Sequence, residues 1–313
     1  MSAPVSLMTS APLQRADERA HRMRLHIATA TAVVTVATLV VYGWNYYLLA
    51  AAERPFSPKH DLLKPSGSIA IKLGMAGVAL FLVIFLYPLR KRIKWLGRIG
   101  SAKHWLDFHV VAGLTAPVLI AFHASFKFRG IAGIAFWIML AVAISGVIGR
   151  YIYAQIPRSL SSAELSLKDL GEIEEELSHG LSAQSLLSAQ DFAPLLFIPT
   201  TAQVREMPVY RAILQMIALD ARRPFHVARL RIRVLGWAGV LPYMGGLIRT
   251  PHLELERAIS IARSKAALSK RIAFLSRSQQ VFHLWHVVHR PFSYSFAVLA
   301  FLHIVVVISL GFV

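Results

Sequence analysis

This 313-residue chain has no cysteine. That excludes disulfides, covalent haem attachment through CxxCH, thiolate zinc sites and cysteine-ligated iron–sulfur clusters. Charged residues are scarce, 16% against 56% hydrophobic, and mean hydropathy is +0.53. An ordinary soluble domain is thereby excluded, and a polytopic membrane protein is indicated. Acidic residues are the rarest charges, 16 against 34 Lys and Arg, for a net charge of +18. The sequence also lacks GxGxxG, a Walker A pattern and any pyridine-nucleotide fingerprint. An iron–sulfur cluster would have to sit on another subunit, and a flavin either there or here without an obvious motif.

Long apolar runs are what the chain does have. Five are expected to span: 25–50, 69–89, 105–126, 131–154 and 282–313, each long enough to cross with some tilt. The first is too long for a signal-peptide core and lacks an obvious cleavage site, so it is expected to be retained. The expected fold is all-α, a polytopic bundle of about five transmembrane helices with a helical cytoplasmic insertion. Its expected divisions are a tail at 1–24, helices 1–4 within 25–154, an insertion at 155–281 and a fifth helix at 282–313.

Basic residues set the expected orientation. The tail carries Arg15, Arg19, Arg22 and Arg24, and the second-to-third loop carries Arg90, Lys91, Arg92, Lys94, Arg98 and Lys103. The opposite loops hold fewer, so the N-terminus is expected in the cytoplasm and the C-terminus outside. The net charge follows from this bias and from attraction to anionic lipid, and nucleic acid is not an expected partner.

In the insertion, Ser161 with Glu164 reads as a capping box, and GEIEEELSHG ends at Gly180 as a helix stop. A helix is expected at 202–220 and another at 252–280, the latter running towards the fifth span. Between them RRPFHVARLRIRVLGWAGVLPYMGGLI is basic, then apolar. The apolar part is too short and too rich in Gly and Pro to span, and is expected in the headgroup region or beneath the bundle. Nothing in the insertion resembles a catalytic constellation. It reads as a cap that packs the bundle and docks a partner.

Histidine spacing is the sharpest signal. His109 and His123 lie fourteen residues apart, and so do His289 and His303. Fourteen residues of helix rise about 21 Å and return to within roughly 40° of the starting face. Each helix therefore offers two imidazoles in one direction, towards opposite sides of an apolar core of about 30 Å. Intramembrane histidine is costly and usually functional, and imidazole is a good iron ligand. The expected metal and cofactor ligands are these four, holding two haem b. His109 pairs with His289 on an inner haem and His123 with His303 on an outer one, because one span and the insertion separate the two helices. Packing, proton relay and other metals are the competing roles.

Other histidines fit less well. His286 to His303 and His104 to His123 are each about 100° off face, and His283 to His303 lies near the opposite face. His104, His283 and His286 read as interfacial polar residues, with propionate contact, a quinone site or a third haem involving His26 as alternatives. His21, His60, His179, His226 and His252 read as surface residues. Gly74, Gly77, Gly113, Gly146 and Gly149 would leave room for a flat macrocycle, or serve ordinary helix packing. Arg150 is a candidate for the inner propionates, and Lys127 and Arg129 for the outer ones; snorkelling explains them as well.

At these residues the chain resembles the ferric-reductase-like membrane core shared with NADPH oxidases. There, two helices separated by one helix carry paired haem ligands at this kind of spacing. His109 and His123 match the first ligand helix, His289 and His303 the second, over 104–154 and 281–313. That family usually continues into a flavin and NADPH domain, whereas this sequence ends soon after its fifth span and carries an insertion before it. Cytochrome b of quinol-oxidising complexes has similar spacing, but its PEWY-like motif is missing. HLWHVVHRPF and the following helix are similar to b-type cytochrome subunits of bacterial redox complexes. The resemblance implies an electron-transfer subunit of an oxidoreductase in a bacterial inner membrane. Its partners would be an iron–sulfur protein, a flavoprotein or a multihaem cytochrome. A quinone-reactive cytochrome b anchor is the second expectation, with quinone at one haem edge. A non-haem transporter or assembly scaffold is the third.

Overall fold

A computed structural model describes residues 6–90, 92–156 and 189–311. No strand occurs among them. The molecule is an all-helical, multi-pass membrane protein. Five helices are long and apolar enough to cross: Asp17–Tyr47, His60–Arg90, Ala102–His123, Gly130–Tyr153 and Leu275–Ser309. The expected fold class and the five spans are thus found. The capping box at Ser161 and the stop at Gly180 lie outside the described residues.

The chain divides into two compact units, 1–148 with 287–313, and 149–286. In the first unit the long helix α1 (Ser6–Tyr47) leads through a short 3-10 turn (Arg54–Phe56) and α2 (His60–Leu63) into α3 (Ser68–Arg90). A single turn, α4 (Lys94–Gly97), precedes α5 (Ala102–His123) and α6 (Gly130–Tyr153). α3 packs closely along α5, with α1 beside it. Leu39, Leu73, Leu119 and Phe122 form their shared core. Close approach of α3 to α5 needs small residues: a Cβ on Gly77 would stand 2.4 Å from Ile120, which is the small-residue packing used between helices in lipid. A second core joins Ala121 with Phe136 and Met139 of α6, and Phe296 packs against it.

Helix α5 is bounded by specific devices. Ser101 caps its start, the hydroxyl accepting from the His104 amide at 3.2 Å. At its end Ser125 and Phe126 take left-handed backbone, φ 48° and 60°. That conformation costs roughly 1–2 kcal/mol per non-glycine residue, so something must hold it. Ser125 is fully buried and donates its hydroxyl to the Leu63 carbonyl. The buried Arg54 guanidinium donates to the carbonyls of Ser125 at 2.7 Å, Tyr47 at 3.0 Å and Leu49 at 3.2 Å. One cation thereby ties the end of α1 and the following loop to the end of α5.

The second unit contains α7 (Ala189–Leu196), α8 (Thr201–Glu206), α9 (Val209–Val240) and α10 (Leu253–Ala273). α11 (Leu275–Ser309) begins in this unit and continues into the first. Thr200 and Gln203 form a reciprocal capping box on α8. Phe192, Leu195, Val227, Leu230, Leu255 and Ile259 bind α7, α9 and α10 into one core. Two expectations change. The helix expected at 202–220 is broken at Pro208, and its second part runs on to Val240, through Pro224 and a kink at Gly236. Pro224 forfeits only the one ladder bond to the Asp220 carbonyl, and burial of Val227, Ala228 and Leu230 keeps the helix going. The helix expected at 252–280 ends at Ala273, and Phe274 separates it from α11.

Candidate functional site

All four spaced histidines fall in the first unit, two on α5 and two on α11. His109 Nδ1 lies 3.0 Å from the Ile84 carbonyl and His123 Nδ1 2.8 Å from the Ala70 carbonyl, both on α3. A carbonyl only accepts, so Nδ1 carries the proton in each ring and the Nε2 lone pair is the one available to a metal. On α11, His289 Nδ1 lies 2.7 Å from Ser145 Oγ of α6. Ser145 donates its own proton to the Val142 carbonyl at 2.8 Å, so its oxygen accepts from His289 Nδ1–H. Three imidazoles from two helices are thus oriented through Nδ1, the arrangement by which proteins fix the tautomer and rotation of a ligating histidine. His303 lies within electrostatic reach of His123.

The glycines separate into two kinds. A Cβ on Gly74 would stand 2.9 Å from the His123 ring, and one on Gly146 3.8 Å from that of His289. Gly74 gives the His123 imidazole its place, whereas a Cβ at Gly146 would make only ordinary contact with His289. Gly113, one turn after His109, has nothing within 4 Å of a Cβ position. Ala116 and Pro117, one turn further on, are small but buried, so the open space on this stretch of α5 lies at Gly113. Gly77 and Gly149 are packing glycines instead, against Ile120 and Trp285. Phe296, midway between His289 and His303, meets Phe81 edge-on at 5.3 Å.

The donor set suits a haem. Bis-imidazole ligation needs oriented imidazoles and room for a flat ring; three of the four histidines are held at Nδ1, and Gly113 leaves open space beside α5. Among the described residues, no three His, Asp or Glu side chains converge on a point where a bare ion would sit.

The remaining candidates scatter. Arg150 is half-buried on α6 and falls in the second unit. Lys127, Arg129 and His26 are exposed. His283 is exposed, and His286 Nδ1 pairs with the Phe282 carbonyl of its own helix at 3.1 Å. His252 caps α10, its ring accepting from the Leu255 amide.

His21 corrects the surface reading: it is 3% exposed, its Nε2 lies 3.1 Å from Asp107 Oδ2, and its ring stacks on His104 at 3.6 Å. Glu18 completes the group, 3.5 Å from His104 Nε2 and 2.7 Å from Lys103. The tail around His21 looks solvated because five of its neighbours are charged. Only the fold reveals that Asp107, 86 residues on, receives it. Ser145 and Arg54 escape sequence reasoning for the same reason, their partners being 144 and 71 residues distant. No family model, curated protein or solved structure matches this chain.

Proposed function

We propose that this protein is a di-haem b-type cytochrome that carries electrons across a bacterial inner membrane. His109 and His289 would hold the inner haem, His123 and His303 the outer one. The resemblance to the ferric-reductase-like core points the same way. The observation that carries the reading is the anchoring of three of the four imidazoles through Nδ1, two on carbonyls of α3 and one on Ser145. Such an anchor leaves the Nε2 lone pairs of His109 and His123 for a metal, as a ligating histidine requires.

When bound, the haems supply one-electron chemistry, and the chain supplies ligands, spacing and a low-dielectric sheath. Ile84 and Ala70 carbonyls and Ser145 Oγ hold the Nδ1 protons of their histidines. Such bonds raise the basicity of Nε2 and stop ring rotation. Gly113 leaves the space beside α5 that a flat ring needs, and Gly74 keeps His123 from being pushed off its carbonyl. The apolar side chains of α1, α6 and α11 exclude water. Lacking flavin and cluster motifs, the chain would act as a subunit beside an iron–sulfur protein, a flavoprotein or a multihaem cytochrome. Its N-terminus would be cytoplasmic and its C-terminus outside.

A quinone-reactive anchor is the second reading, favoured by the buried His21–Asp107 pair five residues or fewer from His104 and His109 on α5. A histidine–carboxylate pair can take up or release a proton beside a quinone. Haem reduction by quinol that a quinone-site inhibitor blocks would select it.

The test is a dithionite-reduced minus oxidised spectrum with a pyridine haemochrome assay on the purified chain. Two b haems per chain are expected, with His109→Ala and His303→Ala each losing one. A colourless, folded chain from haem-replete cells would overturn the reading and leave the transporter or scaffold.

A further inference from the structure

Beyond its kink at Gly236, where φ is 69° and ψ 169°, α9 turns into an apolar tip. Trp237, Leu241 and Met244 are 67, 70 and 66% exposed, and Leu247 and Ile248 are about half exposed. From Gly236 to His252 there is no acidic residue. Arg233 and Arg249 flank the tip with largely exposed side chains, Arg233 paired with Asp191 and Arg249 lying 3.8 Å from Glu256. Five exposed apolar side chains within one short segment mark an interaction site.

The exposure is built, not loose. Behind the tip, Arg231 is 2% exposed and grips both Glu256 oxygens at 2.7 Å with its Nε and an Nη. Its other Nη donates to the Gly246 carbonyl at 2.7 Å. Thr250 donates both its amide and its hydroxyl to the same carboxylate at 3.0 Å. Within the tip the Gly245 amide bonds to the Val240 carbonyl, and the Ile248 amide to that of Tyr243, each at 3.1 Å. Met244, Gly245 and Gly246 take left-handed backbone to make this tight turn. A fixed scaffold therefore holds five apolar side chains out into the surroundings.

We infer that residues 237–248 form a membrane-dipping tip that seats the second unit in the headgroup layer of an anionic bilayer. Three observations select lipid as the occupant. The second unit is joined covalently at both ends to spanning helices, α6 and α11, so a bilayer is always within reach. Trp237 and Tyr243 are the residue types that settle at the membrane–water interface. The segment carries no acidic residue of its own and is flanked by two exposed arginines, which suits anionic headgroups. A single turn with its amides largely bonded can enter the interface without leaving backbone donors in hydrocarbon. This inference stands apart from the haem reading, and neither depends on the other.

The lack of cysteine makes the test clean. Leu241→Cys, Met244→Cys and, as an exposed control on α10, Ser264→Cys are each spin-labelled in the full chain. The chain is reconstituted in equimolar phosphatidylcholine and phosphatidylglycerol vesicles. Labels at 241 and 244 are expected to collide several-fold more with oxygen than with a water-soluble nickel chelate, and the control to show the reverse. Replacing phosphatidylglycerol by phosphatidylcholine is expected to lower that ratio. Labels reached mainly by nickel would place the tip in water. Labels shielded from both reagents would place it against protein, a second copy included. Either result overturns the inference. Leu247→Cys repeats the reading if one label disturbs the turn.

Discussion

The two units handle buried polarity in opposite ways. In the first, buried or half-buried polar side chains are answered largely by carbonyls and hydroxyls: Arg54 by three carbonyls, His109 and His123 by one each, His289 by Ser145. In the second, buried charge meets opposite charge, Arg231 with Glu256 and Lys270 with Asp220. Ion pairs close upon themselves and fix a shape. A histidine tied at Nδ1 to a neutral acceptor is oriented without an ion pair, as His109 and His123 are on the Ile84 and Ala70 carbonyls. The difference teaches how each unit uses polarity: the second closes charge upon charge, while the first orients several of its imidazoles on neutral acceptors.

Breaking an ion pair should therefore do the most damage, and should do it in the second unit alone. Arg231→Met leaves the Glu256 carboxylate buried without its cation, a change that costs about 3–5 kcal/mol in comparable settings. Proteolysis of the second unit should become much faster while the content of bound haem is unchanged. Arg231→Met combined with Glu256→Leu should recover most of the loss, because a paired charge and an apolar pair are closer in stability than either is to a lone charge. Haem lost along with the second unit would show that the contrast between the units is false.

The next largest effect sharpens the contrast within the glycines. Gly74→Val forces the His123 ring away from the Ala70 carbonyl, since even a Cβ would stand 2.9 Å from it. Overpacking of this kind costs about 1–3 kcal/mol, and one haem of the two should be lost. Gly149→Ala is equally crowded, 2.3 Å from Trp285, yet should leave both haems. Equal spectra for the two variants would deny Gly74 its particular role.

A third, gentler change tests the aim of one ring. Ser145→Ala removes the acceptor for His289 Nδ1. Loss of such a partner typically weakens metal affinity by about 10–100-fold. Inner-haem retention on dilution should fall accordingly, and Ser145→Thr should restore it. An unaltered affinity in Ser145→Ala would mean the bond only joins α6 to α11.

How much of this could be read from the sequence follows from the range of the forces involved. The spans are legible because a bilayer imposes length and apolarity locally. The four histidines are legible because helix geometry turns spacing into direction, and Gly74 and Gly146 because small residues are conspicuous on such helices. The anchors are not legible. A serine at 145 is one hydroxyl in an apolar run, and nothing near it in sequence points to residue 289. His21 reads as solvated among Asp17, Glu18, Arg19, Arg22 and Arg24, yet it is buried against Asp107. Pro224 looks like a helix end because the tertiary burial that carries α9 past it is not a local property.

The smallest effect is the dependence on pH that Glu256 should give the second unit. Burial works to raise the Glu256 carboxyl, but hydrogen bonds from Arg231 and Thr250 and the Arg231 charge outweigh it and hold its pKa below the ordinary 4.5. A carboxyl depressed by folding stabilises the folded state above its unfolded pKa, and that contribution fades as pH falls through the folded value. Glu256→Gln should thus be less stable than the native chain at neutral pH. The gap should hold constant down to about pH 4.5 and close on further acidification. Thermal unfolding followed by circular dichroism at stepped pH reads this directly. A gap that stays open in acid would mean that Glu256 acts through the shape of its side chain, and the second unit would then owe its rigidity to packing instead of paired charge.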